Sequence, residues 1–132
     1  MIVLDASAVV ELLLGTLAGR GIAARITDPG IGLHVPHLLD VEVAQALRRH
    51  ATNGQIDAST ARQALDNLRD LPLERHAHDL LLDRVWALRQ NLSAYDAVYV
   101  ALAEALGAIL ITCDRRMARV PSIAGRVLVV AF

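Results

Sequence analysis

Two mostly apolar stretches of the chain run straight into an acid: Met1-Ile2-Val3-Leu4 before Asp5, without a polar break, and Ala108-Ile109-Leu110-Ile111-Thr112-Cys113 before Asp114. Runs of this kind, rich in β-branched residues and without alternation, predict strands buried on both faces. Shorter strands are expected at Leu33-His34-Val35, stopped by Pro36, at Leu71 to Glu74, and at Val127 to Val130. Between them the apolar positions recur at helical spacing. Helices are predicted over Ala8 to Leu14, His37 to Arg49 (Leu38, Leu39, Val43, Ala46 and Leu47), and Asp57 to Asp70 (Ala61, Ala64, Leu65 and Leu68). Another is predicted over His78 to Gln90, with Leu81, Leu82, Val85, Trp86 and Leu88 inward. The last long one opens at Ser93-Ala94-Tyr95-Asp96 and runs to Leu106, closed by Gly107. Gly15-Thr16-Leu17 and Gly19-Arg20-Gly21 read as breaks that leave room only for a short helix from Ile22 to Ile26. Asp28-Pro29-Gly30 reads as a turn, and Arg115 to Arg119 as a short basic helix before Pro121. Strands alternating with helices predict an α/β fold: a three-layer α/β/α sandwich around a mainly parallel sheet, in one domain spanning residues 1–132.

Composition narrows the possibilities. With 55% hydrophobic and 20% charged residues, the chain can fill a core and is not disordered, and the apolar excess predicts that a partner or second copy covers part of it. A formal charge of −1 provides no global basic field, so contact with nucleic acid must come from local patches. All 13 basic residues are Arg. The single Cys113 has no disulfide partner, which predicts a reducing cytosol, and its place at the end of an apolar run predicts a buried structural thiol. No basic segment precedes Asp5, as a leader peptide would require, and the apolar stretch from Ala97 to Cys113 is interrupted by Glu104 and Gly107. A soluble, cytoplasmic protein with no membrane contact is expected.

The acids carry the candidate chemistry. In a parallel sheet the strand carboxyl ends share one edge, with neighbours about 5 Å apart. Asp5 and Asp114 can therefore meet if their strands are adjacent. Asp5 also has a plain structural reading, since it suits the N-cap of the helix that follows. Asp96 stands three residues after Ser93, the spacing of a capping box. Glu42 lies early in the helix after Pro36, where a solvated carboxylate is the ordinary reading, and Asp40 and Glu11 are comparable. Several carboxylates brought together repel unless a cation intervenes, and all-oxygen ligation favours Mg²⁺ or Mn²⁺. Other acid-dependent α/β chemistries fail on specific residues. Dehalogenase-like phosphatases need a second Asp where Ser7 stands; they and receiver domains need a Lys that this chain lacks; and neither Gly-Lys-Ser/Thr nor a G-x-G-x-x-G turn follows the first strand.

Val3-Leu4-Asp5-Ala6-Ser7-Ala8-Val9-Val10-Glu11 resembles the opening of PIN-domain ribonucleases, specifically the VapC toxins of bacterial toxin–antitoxin pairs. The resemblance continues through Pro36-x5-Glu42-x4-Leu47, Leu92-Ser93-Ala94-Tyr95-Asp96-Ala97 and Leu110-Ile111-Thr112-Cys113-Asp114-Arg115-Arg116, in order along the chain. It implies a metal-dependent endoribonuclease whose acids are Asp5, Glu42, Asp96 and Asp114. These would hold Mg²⁺ or Mn²⁺, with Glu42 retaining a water or serving as base, and Ser7 and Thr112 supporting the site. It further implies an RNA substrate, a cognate antitoxin that covers the site, and a homodimer. Some relatives carry another acid soon after the Asp114 position; here the stretch reads Arg115-Arg116-Met117, which leaves one or two cations open.

Arg115, Arg116 and Arg119 are candidates for RNA backbone contacts, with a solvated helix end as the plain reading of each. Aromatics are only 3% of the chain, so few rings are available to stack bases, and RNA shape is expected to matter more. His76 and His78 read as surface residues. Two other functions are compatible with the residues: a structure-specific DNA nuclease using the same metal chemistry, and a non-catalytic module that binds RNA or protein.

Overall fold

The computed structural model describes residues 1–120 and 125–132; Pro121 lies outside the described residues. Five parallel strands form one sheet: β1 (Ile2–Leu4), β2 (Leu33–Pro36), β3 (Leu73–His76), β4 (Ile109–Thr112) and β5 (Val129–Ala131), in the order β3-β2-β1-β4-β5. Both apolar runs became the central neighbours. β1 pairs directly with β4, Leu4 opposite Ile111, and Val3, Leu4, Leu110 and Ile111 have no solvent exposure. The chain steps outward on one side through β2 and β3, then returns to the other side for β4 and β5. The direction of winding therefore reverses between β1 and β4, the place where open α/β sheets leave a crevice at their carboxyl edge.

Six helices cover the sheet: α1 (Ala6–Leu14), α2 (Leu17–Arg25), α3 (Leu38–Thr52), α4 (Ala58–Asp70), α5 (Leu82–Ala87) and α6 (Ala94–Leu106). The start signals act as expected. Asp57 accepts from the Thr60 amide at 2.7 Å, and the Ser93 hydroxyl accepts from the Asp96 amide at 3.1 Å. No single helix among the described residues is long and apolar enough to cross a membrane.

Four sequence expectations need correction. The helix after Gly15 is longer than Ile22 to Ile26: it begins at Leu17, because the Thr16 hydroxyl caps it by accepting from the Gly19 amide at 3.1 Å. Gly19 is there for space; a Cβ on it would sit 1.9 Å from the Glu11 carbonyl oxygen where α2 crosses α1. Trp86 and Leu82, expected in the core, are 68% and 57% exposed. A 3₁₀ turn (Asp79–Leu81) precedes α5, and the short helix presents only Val85 and Leu88 to the core. The basic stretch is a 3₁₀ turn over Met117–Arg119, with Met117 buried, in place of a helix from Arg115. Finally, the Leu71 to Glu74 strand is shifted two residues, to Leu73–His76, because Leu71 caps α4 and the pairing partners lie beyond Pro72.

Candidate active site

β1 carries Asp5 to the sheet's carboxyl edge, and the turn into α1 fixes it there. The carboxylate accepts at Oδ1 from the Ala8 amide (2.9 Å) and the Ser7 hydroxyl (2.6 Å), and at Oδ2 from the Thr112 hydroxyl. The capping reading and the site reading are thus both met by one side chain. A carboxylate offers about four lone pairs, two on each oxygen; both at Oδ1 and one at Oδ2 are engaged, which leaves one position on Oδ2. The two hydroxyls are held in turn from β4's end. Ser7 Oγ accepts from the Cys113 amide (2.9 Å) and Thr112 Oγ1 from the Asp114 amide (2.9 Å). Both support Asp5 through their protons; the Thr112 proton and the Ser7 lone pair cross between the end of β1 and the end of β4.

Asp5, Glu42, Asp96 and Asp114 line a single cavity of about 290 Å³, together with Ser7, Glu11, Tyr99, Arg49 and His50. Four elements deliver the acids: the end of β1, the second turn of α3, the first turn of α6 and the residue shortly after β4. Sequence reasoning missed Tyr99, whose buried hydroxyl donates to Glu42 Oε1 at 2.6 Å. Its spacing was the available signal, since it follows Asp96 by three residues on α6 and so shares its face. Arg49 and His50, seven and eight residues after Glu42, were also missed. They lie two helical turns along the same face of α3.

The electrostatics follow from burial first and crowding second. Burial pushes the Asp5 carboxyl above the ordinary carboxylate range, and the Asp96 charge adds to this. The donors from Ser7, Thr112 and Ala8 pull the other way. Burial likewise raises Glu42, opposed by the Tyr99 hydroxyl and by Arg49, with Asp96 and Asp5 raising it further. Asp96 is raised by burial and by Asp114, while Ser93 and Arg116 oppose this. Asp114 is the exception. Arg116 grips it through Nε to Oδ1 (3.0 Å), Nη2 to Oδ2 (2.8 Å) and its own amide (2.9 Å), and holds it below the usual value. Three acids are thus held above the ordinary carboxylate range by burial first and by neighbouring carboxylates second. Four carboxylates on one cavity, with one open lone pair on the most buried of them, fit a hard divalent cation.

The arginines divide. Arg116 is committed to Asp114 and lines an adjoining depression of about 270 Å³ with Asp96 and Ser93. Arg115 and Arg119 are exposed and line neither cavity. Cys113 does not serve as a nucleophile candidate: burial and the charges of Asp5 and Glu11 push its thiol up to about 11. His76 is half-buried, its ring nitrogen 2.9 Å from that of His34.

The PIN domain pattern matches residues 2–123. VapC ribonuclease Mb0985 of Mycobacterium bovis is 46% identical over 117 residues, covering 89% of this chain and 88% of its own length. Ribonuclease VapC1 of Mycobacterium tuberculosis is 43% identical over 122 residues, covering 92% of this chain and 91% of its own. A chain of VapBC2 from Rickettsia felis, solved bound to a DNA fragment from its promoter, superposes with a TM-score of 0.71 at 13% identity. That match covers 100% of this chain and 99% of the other, and at such identity it speaks to the fold.

Proposed function

The chain belongs to the PIN-domain family, with VapC ribonucleases as its relatives, and from that premise we propose that it is a divalent-cation-dependent endoribonuclease, the toxin of a toxin–antitoxin pair. The observation that carries this reading is the convergence of Asp5, Glu42, Asp96 and Asp114 on one cavity at the sheet's switch point. Asp5, Asp96 and Asp114, with Glu42, would hold Mg²⁺ or Mn²⁺, which when bound supplies the Lewis-acid charge for hydrolysing a phosphodiester. The protein's own groups do the remaining work. Ser7 and Thr112 keep Asp5 in one orientation, so that its open lone pair faces the cavity. Tyr99 fixes Glu42, whose raised affinity for a proton suits it to hold a water and take the proton lost as that water attacks. Arg116 neutralises part of the charge on Asp114 and holds that carboxylate still. Arg49, beside Glu42 in the cavity wall, is placed to receive a phosphate oxygen, with Arg115 and Arg119 further along the same edge for the RNA backbone.

The family resemblance extends the proposal to a cytoplasmic protein whose cavity an antitoxin covers, and to a homodimer. Support for a covered surface comes from Val41, Leu82 and Tyr95, which are 69%, 57% and 62% exposed around two grooves meeting at Leu38 and Tyr95.

The test compares RNA and DNA oligonucleotides of the same sequence, with Mg²⁺ or with EDTA. RNA cleavage only with the cation, and intact DNA, is the expected result. Equal cleavage of DNA would make this a general nuclease. Absence of both cleavage and Mg²⁺ binding would leave a non-catalytic module and overturn the proposal.

A further inference from the structure

At the edge of the sheet, away from the acid cavity, β2 and β3 bring two imidazoles and a carboxylate together. The register sets His34 opposite Glu74 and Pro36 opposite His76. Side chains alternate along a strand, so Glu74 and His76 share a face, and it is the face of His34. His34 Nδ1 lies 2.9 Å from His76 Nε2 and 3.5 Å from Glu74 Oε2, and His76 Nε2 lies 4.0 Å from Glu74 Oε1. His34 is 7% exposed. Its ring fills space kept open by Gly32, where a Cβ would come within 2.7 Å of Nε2. Glu74 approaches from the solvent side, so an ion and its waters have access.

We propose that His34, Glu74 and His76 form a second cation site, specific for a transition metal of the Zn²⁺ type and independent of the acid cavity. Bonds of about 2.0–2.1 Å in a tetrahedral shell place neighbouring donor atoms roughly 3.3–3.4 Å apart. The two nitrogens lie 2.9 Å apart, and one donor atom from each of the three residues falls within 4.8 Å of the others, so rotations of the Glu74 and His76 side chains are what closing the shell requires. Two nitrogens and one carboxylate oxygen suit Zn²⁺, whereas the four carboxylates of the acid cavity suit Mg²⁺ or Mn²⁺; the two sites therefore select different ions. Three protein ligands leave the fourth position to water. The ion would tie edge strand β3 to β2 and stabilise the folded chain by mass action. The competing explanation is a simple hydrogen bond between the two rings, which keeps a proton between the nitrogens and excludes a metal.

The experiment uses tag-free, EDTA-treated protein, with Co²⁺ as the spectroscopic probe and Zn²⁺ in thermal melts. The wild type should bind one Co²⁺ with the visible absorption of a tetrahedral ion. Zn²⁺ at about 100 times its Kd should raise Tm by roughly 5–10 °C. Both effects should disappear in His76→Ala, weaken at least about tenfold in Glu74→Gln, and persist in Asp5→Asn. Glu74 is exposed, so its variant keeps the test decisive should His76→Ala fail to fold. A wild type with neither effect overturns the proposal, as do effects unchanged in the His76 and Glu74 variants or lost in Asp5→Asn.

Discussion

The acid cavity and the histidine cluster are built differently although both gather side chains from neighbouring strands. The cavity draws its carboxylates from four elements, and hydroxyls from Ser7, Thr112 and Tyr99 hold two of them. The cluster draws on one strand pair, and its geometry is set by the register of β2 against β3. The first gathers four carboxylates, and Asp5, Glu42 and Asp96 are each held above the ordinary carboxylate range. The second satisfies its own nitrogens with a ring-to-ring contact when no ion is bound. On the proposed reading a cation settles the charge of the first region, whereas the second has a contact of its own.

The largest effect expected from breaking this contrast is at Asp96. Asp96→Asn removes a carboxylate but keeps the amide that Ser93 caps, so RNA cleavage should fall by roughly 10²–10⁴-fold while the melting curve is retained. Single-turnover cleavage assays and thermal melts check both halves. His34→Ala, by comparison, should leave the cleavage rate within about twofold, because the cluster lies outside the cavity.

Tyr99→Phe comes next. The ring stays buried while Glu42 loses its donor, and a reduction of about 10–100-fold is expected, mainly in kcat, as for lost outer partners of metal ligands. A loss confined to KM would mean that Tyr99 acts on RNA binding.

A smaller effect lies in the stability of cation-free protein. For Asp5, Glu42 and Asp96 the folded pKa exceeds the unfolded one, so the native state binds more protons in the interval between them. Their contribution is complete below about pH 4 and is lost as pH rises through the raised values. Asp114, held low by Arg116, and Asp57, held low by its Thr60 and Ser59 donors, act in the opposite sense and lose their contribution as pH falls. With three raised groups against these two, Tm should decline from mildly acidic to neutral pH in EDTA. The decline should flatten with Mg²⁺ and be shallower in Asp5→Asn. A Tm that climbs with pH across that interval would contradict the crowding account.

The smallest effect tests the core rather than either site. Trp86→Ala should cost less than about 0.5 kcal/mol, because the ring is exposed with only the Arg89 guanidinium stacked on it, 4.6 Å from its centre. Leu88→Ala, at a position 1% exposed, should cost about 2–4 kcal/mol. Urea unfolding of the two variants compares them directly.

These regions also differ in what could be read from residues alone. Asp5 and Asp114 end apolar runs, a landmark visible in one dimension, and the pairing of β1 with β4 brought them together as that pattern allowed. Glu42 and Asp96 had competing local explanations, and only the resemblance to a family distinguished them. In the case of Asp96 the local explanation is also correct, because Ser93 caps its amide. Tyr99 and Arg49 were legible in principle from helical spacing to a known acid. The histidine cluster was not, since it rests on a two-residue shift in β3 that periodicity did not show. Trp86 was misplaced for a related reason: the 3₁₀ turn before α5 reset the helical phase that the hydrophobic pattern assumed.

The central claim is that the carboxylate on Asp5 makes the cavity a cation-dependent site for cutting RNA. Its most direct measurement is cleavage of a single-stranded RNA by wild type and Asp5→Asn at saturating Mg²⁺, after both are shown to melt cooperatively. The account predicts cleavage by the wild type that EDTA abolishes, and none above background by the variant. Cleavage by Asp5→Asn at the wild-type rate would contradict it.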